Sequence, residues 1–128
     1  MNIFMAGGAG YIGSVVARAL LRNGHRIIIY DNLSTGTRGS IPNQARFIFG
    51  DIRDPHLVPL VLRMEKVEAI FHFAAKLIVP ESVSDPLPYY DVNVGGTLNL
   101  LKAASREGIR QFVFSSSGAV YGEPCHVP

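Results

Sequence analysis

The strongest constraint on this chain is a glycine cluster, GGAGYIG at residues 7–13, set between an apolar run and a helical repeat. NIFMA (2–6) has the length and character of a buried strand, and the glycines close it. From residue 11 the period changes: Ile12, Val15, Val16, Ala19 and Leu20 fall on one stripe, and Gly24 supplies a stop. Gly8, Gly10 and Gly13 satisfy the dinucleotide-binding spacing, and Gly7, Gly10 and Gly13 satisfy a wider variant equally well. Both solve one problem. The chain turns tightly out of a strand, lets backbone approach a pyrophosphate, and offers it the amides and positive dipole end of a helix N-terminus. A purely structural turn is the alternative, and the strand–turn–helix context weighs against it.

The rest of the chain repeats that alternation. RIIIYD (26–31) is β-branched without period-two alternation, so both of its faces should be covered. Residues 32–43 are turn chemistry, and RFIFGD (46–51) reads as a third strand. DPHLVPLVLRM (54–64) reads as a helix with Pro55 in its first turn, shortened or kinked by Pro59. EAIFHFAA (68–75) is a fourth strand and QFVFSS (111–116) a fifth. Between them a long helix is expected over 86–107, opened by Pro86 and Pro88. Gly95 and Gly96 each cost that helix about 1 kcal/mol against alanine, which suggests close approach by a neighbouring element. The expected fold class is α/β, a doubly wound parallel sheet wound by right-handed crossovers, with residues 1–128 as one dinucleotide-binding domain.

Apolar residues at 48% and charged residues at 17% describe a globular chain rather than a disordered one. A formal charge of +2, with its cations scattered, marks no nucleic-acid surface. No apolar run approaches the roughly 18 residues that a membrane span needs. With Cys125 as the one cysteine, no internal disulfide can form, and a cytoplasmic location is the natural expectation. His25, His56, His72, His126 and Cys125 lack zinc spacing, so no metal site is expected. His72, inside an apolar strand, reads as a satisfied core histidine.

Several polar residues stand at strand ends. Asp31 closes the second strand, where a carboxylate accepts both hydroxyls of an adenosine ribose and repels a 2′-phosphate, favouring NAD over NADP. The alternative is that it simply opens a turn. Asn32 and Arg38 give no strong counter-signal. Asp51 and Ile52 would form an adenine clamp, an acceptor beside an apolar contact. Phe73, Ala74 and Ala75 would let the chain pass close to a cofactor, although core packing explains Phe73 equally well. Ser115, Ser116 and Ser117 mass hydroxyls where the fifth strand opens into a loop.

GGAGYIG, YDNLSTG, GDIRD, FHFAA, YYDVNVGGT and FSSSGAVYG follow one another in the order and spacing of the extended short-chain dehydrogenase/reductase family, the NAD-dependent epimerases and dehydratases. The whole chain resembles the N-terminal part of its nucleotide-sugar epimerase branch. That resemblance implies a Rossmann-like sheet of order 3-2-1-4-5, NAD as cofactor, and a UDP-hexose as substrate. It implies that Gly7, Gly10, Tyr11, Ile12 and Gly13 hold the pyrophosphate, Asp31 with Asn32 the ribose, and Asp51 with Ile52 the adenine. Phe73, Ala74 and Ala75 would line the nicotinamide side, with Asn93 and Ser115 also at the cofactor, and Ser117 would hydrogen-bond the sugar oxygen being oxidised. Gly118 and Ala119 stand where dehydratases of the family tend to carry an acidic pair, which favours epimerisation over elimination. A reductase and a non-catalytic NAD-binding module both stay open. One departure is visible: Lys76 comes one place before the position of a cofactor-contacting lysine, and Leu77 occupies that position.

The family's base is a tyrosine activated by a lysine four places later, because a phenol of pKa about 10 is a poor base at neutral pH. Tyr11, Tyr30, Tyr89, Tyr90 and Tyr121 are followed at that distance by Val15, Ser34, Asn93, Val94 and Cys125. The expectation is therefore a C-terminally truncated chain, inactive alone and without its sugar-nucleotide domain. Its fifth strand should be an uncovered edge, and the helix over 86–107 could mediate a homodimer.

Overall fold

The structure, a computed structural model, describes residues 1–122; the expectations for Cys125 and His126 lie outside the described residues. Five strands, β1 (Asn2–Ala6), β2 (Arg26–Asp31), β3 (Arg46–Phe49), β4 (Ala69–His72) and β5 (Gln111–Phe114), form one parallel sheet of order β3-β2-β1-β4-β5, as expected. The absence of alternation in β1 and β2 has a direct structural cause. Ile3, Met5, Ala17, Ile27, Ile29 and Ala69 make the core beneath helix α1 (Tyr11–Arg22). Phe4, Ile28, Tyr30, Ile70 and Leu100 belong to the core on the opposite face, beneath the helices that follow. Neighbouring strand residues thus serve opposite layers, and nearly all are apolar.

Helix α1 ends as its glycine foretells: Gly24 has φ +79°, and the amides of Gly24 and His25 return to the carbonyls of Leu21 and Leu20. Helix α2 (Leu57–Met64) starts later than expected. Asp54 accepts the amides of His56 and Leu57 at 2.8 Å each, so Pro55 lies ahead of the helix and Pro59 sits in its first turn. There a missing N–H costs nothing, and the helix is shorter than expected because it starts at Leu57.

The helix expected over 86–107 is a continuous rod built of α4 (Leu87–Tyr89), a π-helical stretch (Tyr90–Gly96) and α5 (Thr97–Arg106). Close approach holds for only one of its two glycines. A Cβ on Gly96 would stand 2.4 Å from Ile52 Cδ1, whereas one on Gly95 would meet nothing nearer than Asp91 Oδ1 at 3.7 Å. Successive helical residues point in different directions, so Gly96 faces the core at Ile52 while Gly95 looks outward. A short helix, α3 (Val79–Ser84), was not expected and carries Pro80 near its start. Strand β5 lies at the sheet edge with Val113 and Phe114 exposed, as anticipated. Among the described residues, no helix is long and apolar enough to cross a membrane.

Candidate functional site

Parallel register brings the carboxyl ends together. Ala6 pairs with Tyr30 and His72, Asp31 with Phe49, and His72 with Phe114. The sheet order reverses between β1 and β4, and ligands of doubly wound sheets generally bind beyond the carboxyl ends of the strands at such a point.

The glycine turn lies at this edge, between β1 and α1. Gly7 has φ +78°, and a Cβ on it would stand 2.5 Å from the Ala74 amide nitrogen. A Cβ on Gly13 would be 2.5 Å from the Gly7 carbonyl oxygen, and one on Gly8 would press on Ile29. Three of the glycines are thus required by the protein's own packing, and both candidate spacings describe real constraints. Gly10 differs. Its Cβ would meet only the Gly7 oxygen at 3.3 Å, so its outer side is open. It caps α1 without a side-chain hydrogen bond, and Tyr11 and Ile12 in the first turn are exposed. First-turn amides have no intrahelical acceptor, so the open end of α1 fits an anion such as a pyrophosphate.

Asp31 is buried, and its carboxylate fastens two segments. One oxygen accepts the Ala9 amide at 3.0 Å, and the other accepts the Leu33 amide at 2.8 Å. The second bond is the turn-opening role, the first ties β2 to the glycine turn, and each oxygen keeps a further lone pair. Leu33 adopts φ +56° to deliver its amide. Gly36 and Thr37 then fold over the turn: the Thr37 amide donates to the Ala9 carbonyl, and a Cβ on Gly36 would be 2.8 Å from the Ala9 carbonyl carbon. The Arg38 guanidinium lies over the Phe47 ring at 5.1 Å and is committed there.

Asp51 is more fully engaged than the sequence suggested. Its Oδ1 accepts from the Arg53 amide and Nε, and its Oδ2 from Arg53 Nη2 and Asn32 Nδ2. Four donors fill the roughly four lone-pair sites of a carboxylate. Hydrogen bonds from Arg53, above all, hold the Asp51 carboxyl below the usual carboxylate range. Arg53 also reaches Asp91 at 2.7 Å. An adenine amine would have to displace one of these donors. Ile52 is buried under Gly96 and belongs to the core, and Asn99 Nδ2 holds its carbonyl at 2.7 Å. Arg53 escaped sequence reasoning because nothing in GDIRD separates a solvated arginine from one folded back on its neighbour.

Phe73, Ala74 and Ala75 follow β4 rather than end it. Phe73 packs toward the α1-side core, and the Ala74 backbone passes against Gly7, the close approach that small residues permit. Asn93 holds Lys76 by both backbone groups: Oδ1 accepts its amide at 2.8 Å, and Nδ2 donates to its carbonyl at 3.0 Å. The Lys76 side chain turns to Glu81 and to the Tyr89 ring, leaving Leu77 exposed. His72 is buried, and burial pushes its pKa down to about 4. Its Nε2 meets Thr97 Oγ1 at 2.7 Å, but among the described residues its Nδ1 has no hydrogen-bond partner, so this core histidine is satisfied there at one nitrogen only. Ser115 continues the ladder by donating its amide to the His72 carbonyl. Ser117 is exposed, and its hydroxyl accepts the Ala119 amide at 3.2 Å.

Residues 3–128 match the model of the NAD dependent epimerase/dehydratase family. The chain belongs to that family. It is 51% identical to the UDP-glucose 4-epimerase of Lacticaseibacillus casei over 128 residues, all of this chain and 39% of that protein. It is 42% identical to a UDP-glucose 4-epimerase of Klebsiella pneumoniae, covering 100% of this chain and 97% of that one. The crystal structure of the UDP-glucose 4-epimerase of Brucella ovis in complex with NAD superposes with a TM-score of 0.90 at 42% identity, covering 99% of this chain and 39% of that one. Thus this epimerase/dehydratase family member spans about 39% of the length of the Lacticaseibacillus relative.

Proposed function

We propose that these residues are the NAD-binding part of a nucleotide-sugar epimerase acting on a UDP-hexose, with UDP-glucose and UDP-galactose as the pair interconverted. The observation that carries the reading is at the carboxyl ends of β1 and β2, where the open side of Gly10 and the uncapped end of α1 lie beside the fixed carboxylate of Asp31. Bound NAD would supply a reversible hydride acceptor, so that a sugar carbon is oxidised and then reduced from its other face. The chain's own share is positional. First-turn amides of α1 neutralise the pyrophosphate, Asp31 takes the ribose hydroxyls with its remaining lone pairs, and the Phe73–Ala75 segment walls the nicotinamide end. Ser117 would hold the sugar hydroxyl. Similarity to the relatives named above supports the substrate class.

None of the five tyrosines is followed four places later by lysine, so the 128 residues alone should not turn over. Leu87, Tyr90, Val94, Leu98 and Leu101 are exposed at intervals of three and four along the helical rod, and this stripe supports a homodimer there. Calorimetric titration of the chain with NAD and NADP tests the cofactor reading. NAD should bind at least about ten-fold more tightly, because the Asp31 carboxylate repels a 2′-phosphate and Arg38 is held on Phe47. Equal affinity, or no NAD binding, would overturn it. Detectable hexose epimerisation by the isolated chain would overturn the inactivity.

A further inference from the structure

The segment after β4 is tied to the helical rod twice, and the two ties form one circuit. His72 Nε2 lies 2.7 Å from Thr97 Oγ1, and Thr97 Oγ1 donates to the Asn93 carbonyl at 2.6 Å. The Asn93 side chain in turn grips both backbone groups of Lys76. Lys76 is four residues beyond His72, so the path closes through Phe73, Ala74 and Ala75. A hydroxyl carries one proton, and that of Thr97 goes to Asn93. Thr97 must therefore accept from His72, which fixes the Nε2–H tautomer. The buried Nδ1 is then a bare lone pair, a smaller cost than an orphaned N–H. Phe112 and Phe114 flank the ring with centroids at 6.2 and 5.5 Å and fill the space around it.

The bow closed by this circuit presses the Ala74 backbone onto Gly7. We infer that His72 and Thr97 are positioning residues for the cofactor's nicotinamide end, acting through Asn93 and Lys76 to set the path of residues 73–75 beside the glycine turn. The π-helical stretch is part of the device, because it contains Asn93 and ends where Thr97 begins. The inference rests on the cofactor reading above.

The decisive comparison is Thr97→Val against Thr97→Ser in the 128-residue chain, followed by NAD titration and by nitrogen-15 NMR of the imidazole and of the Asn93 side-chain amide. The wild-type ring should show the Nε2–H tautomer. Thr97→Val should shift the Asn93 amide signals and weaken NAD binding about ten-fold, the loss of one well-placed hydrogen bond, while Thr97→Ser should keep both near wild type. A folded Thr97→Val chain with wild-type NAD affinity and an unmoved Asn93 amide would overturn the proposal, as would an Nδ1–H ring. Should Thr97→Val fail to fold, His72→Gln, which keeps a donor, against His72→Phe, which does not, gives the same contrast. If the wild type binds no NAD, the cofactor reading fails, and the amide and tautomer signals still decide the circuit.

Discussion

Asp31 and Ser117 both stand at the carboxyl edge of the sheet, but the chain treats them differently. Asp31 is 9% exposed and receives backbone amides from two segments, one of them 22 residues away. Among the described residues, the Ser117 hydroxyl is exposed and accepts only from Ala119, two residues on. The contrast extends to their surroundings. Across β1 to β3, Gly7, Ala9, Asp31, Gly36, Asn32, Asp51 and Arg53 hold one another in place. Across β5, Val113 and Phe114 lie open, and among the described residues Gly118 has nothing within 4 Å of where a Cβ would be. The glycine-turn half is thus fixed by bonds between segments distant in sequence, whereas among the described residues the Ser117 hydroxyl is held by a local turn.

A pair of glycine substitutions attacks this difference most directly. Gly7→Ala places a methyl 2.5 Å from the backbone of Ala74 at a positive φ, and neither element can retreat without disturbing the sheet. It should cost about 3–5 kcal/mol in denaturant unfolding and abolish NAD binding. Gly118→Ala meets open space among the described residues and should change stability by less than about 0.5 kcal/mol. Similar costs at the two positions would mean that the serine loop is held as firmly as the glycine turn.

His72 lies at the boundary between the halves and gives the next largest effect. Its pKa is lowered by burial to about 4, against 6.5 for a free histidine. Between those values the unfolded chain takes up a proton that the folded chain refuses, so stability is complete above pH 6.5 and falls as pH drops toward 4. The loss should reach about 3 kcal/mol, read as a falling denaturation midpoint. His72→Gln should flatten that part of the pH profile. An unchanged slope in the variant would place the acid sensitivity elsewhere.

The two halves also differ in how much could be read from residue order. The β1 and β2 cores are legible because both faces are covered, and the runs 2–6 and 26–31 carry apolar residues with almost no interruption. Gly7, Gly13 and Asp31 are legible because tight turns and strand ends restrict residue type. What escaped the sequence depends on tertiary partners. The start of α2 is set by the Asp54 carboxylate, not by hydrophobic period, and the π-helical stretch keeps the same apolar residues as an ordinary helix. Asn93 stood out in the sequence only through the family resemblance, and its grip on Lys76 and the His72–Thr97 bond join residues 17 and 25 positions apart. No local pattern encodes such pairs.

Arg53 carries the smallest effect, and the sign is the informative part. Its guanidinium and amide supply three of the four donors on Asp51, and it bridges onward to Asp91. Both ion pairs are largely solvated, with Arg53 44% exposed, so Arg53→Met should lower stability by at most about 1 kcal/mol. It also strips two side-chain donors from the Asp51 carboxylate. If Asp51 accepts the adenine amine, NAD binding should tighten about two- to three-fold, since the ligand no longer displaces a charged competitor. The gain should shrink as salt is raised, because screening weakens the wild-type Arg53 contacts as well. Weaker NAD binding by the variant would reverse the assignment: Asp51 would then serve to hold Arg53, and the guanidinium would be the group that meets the nucleotide.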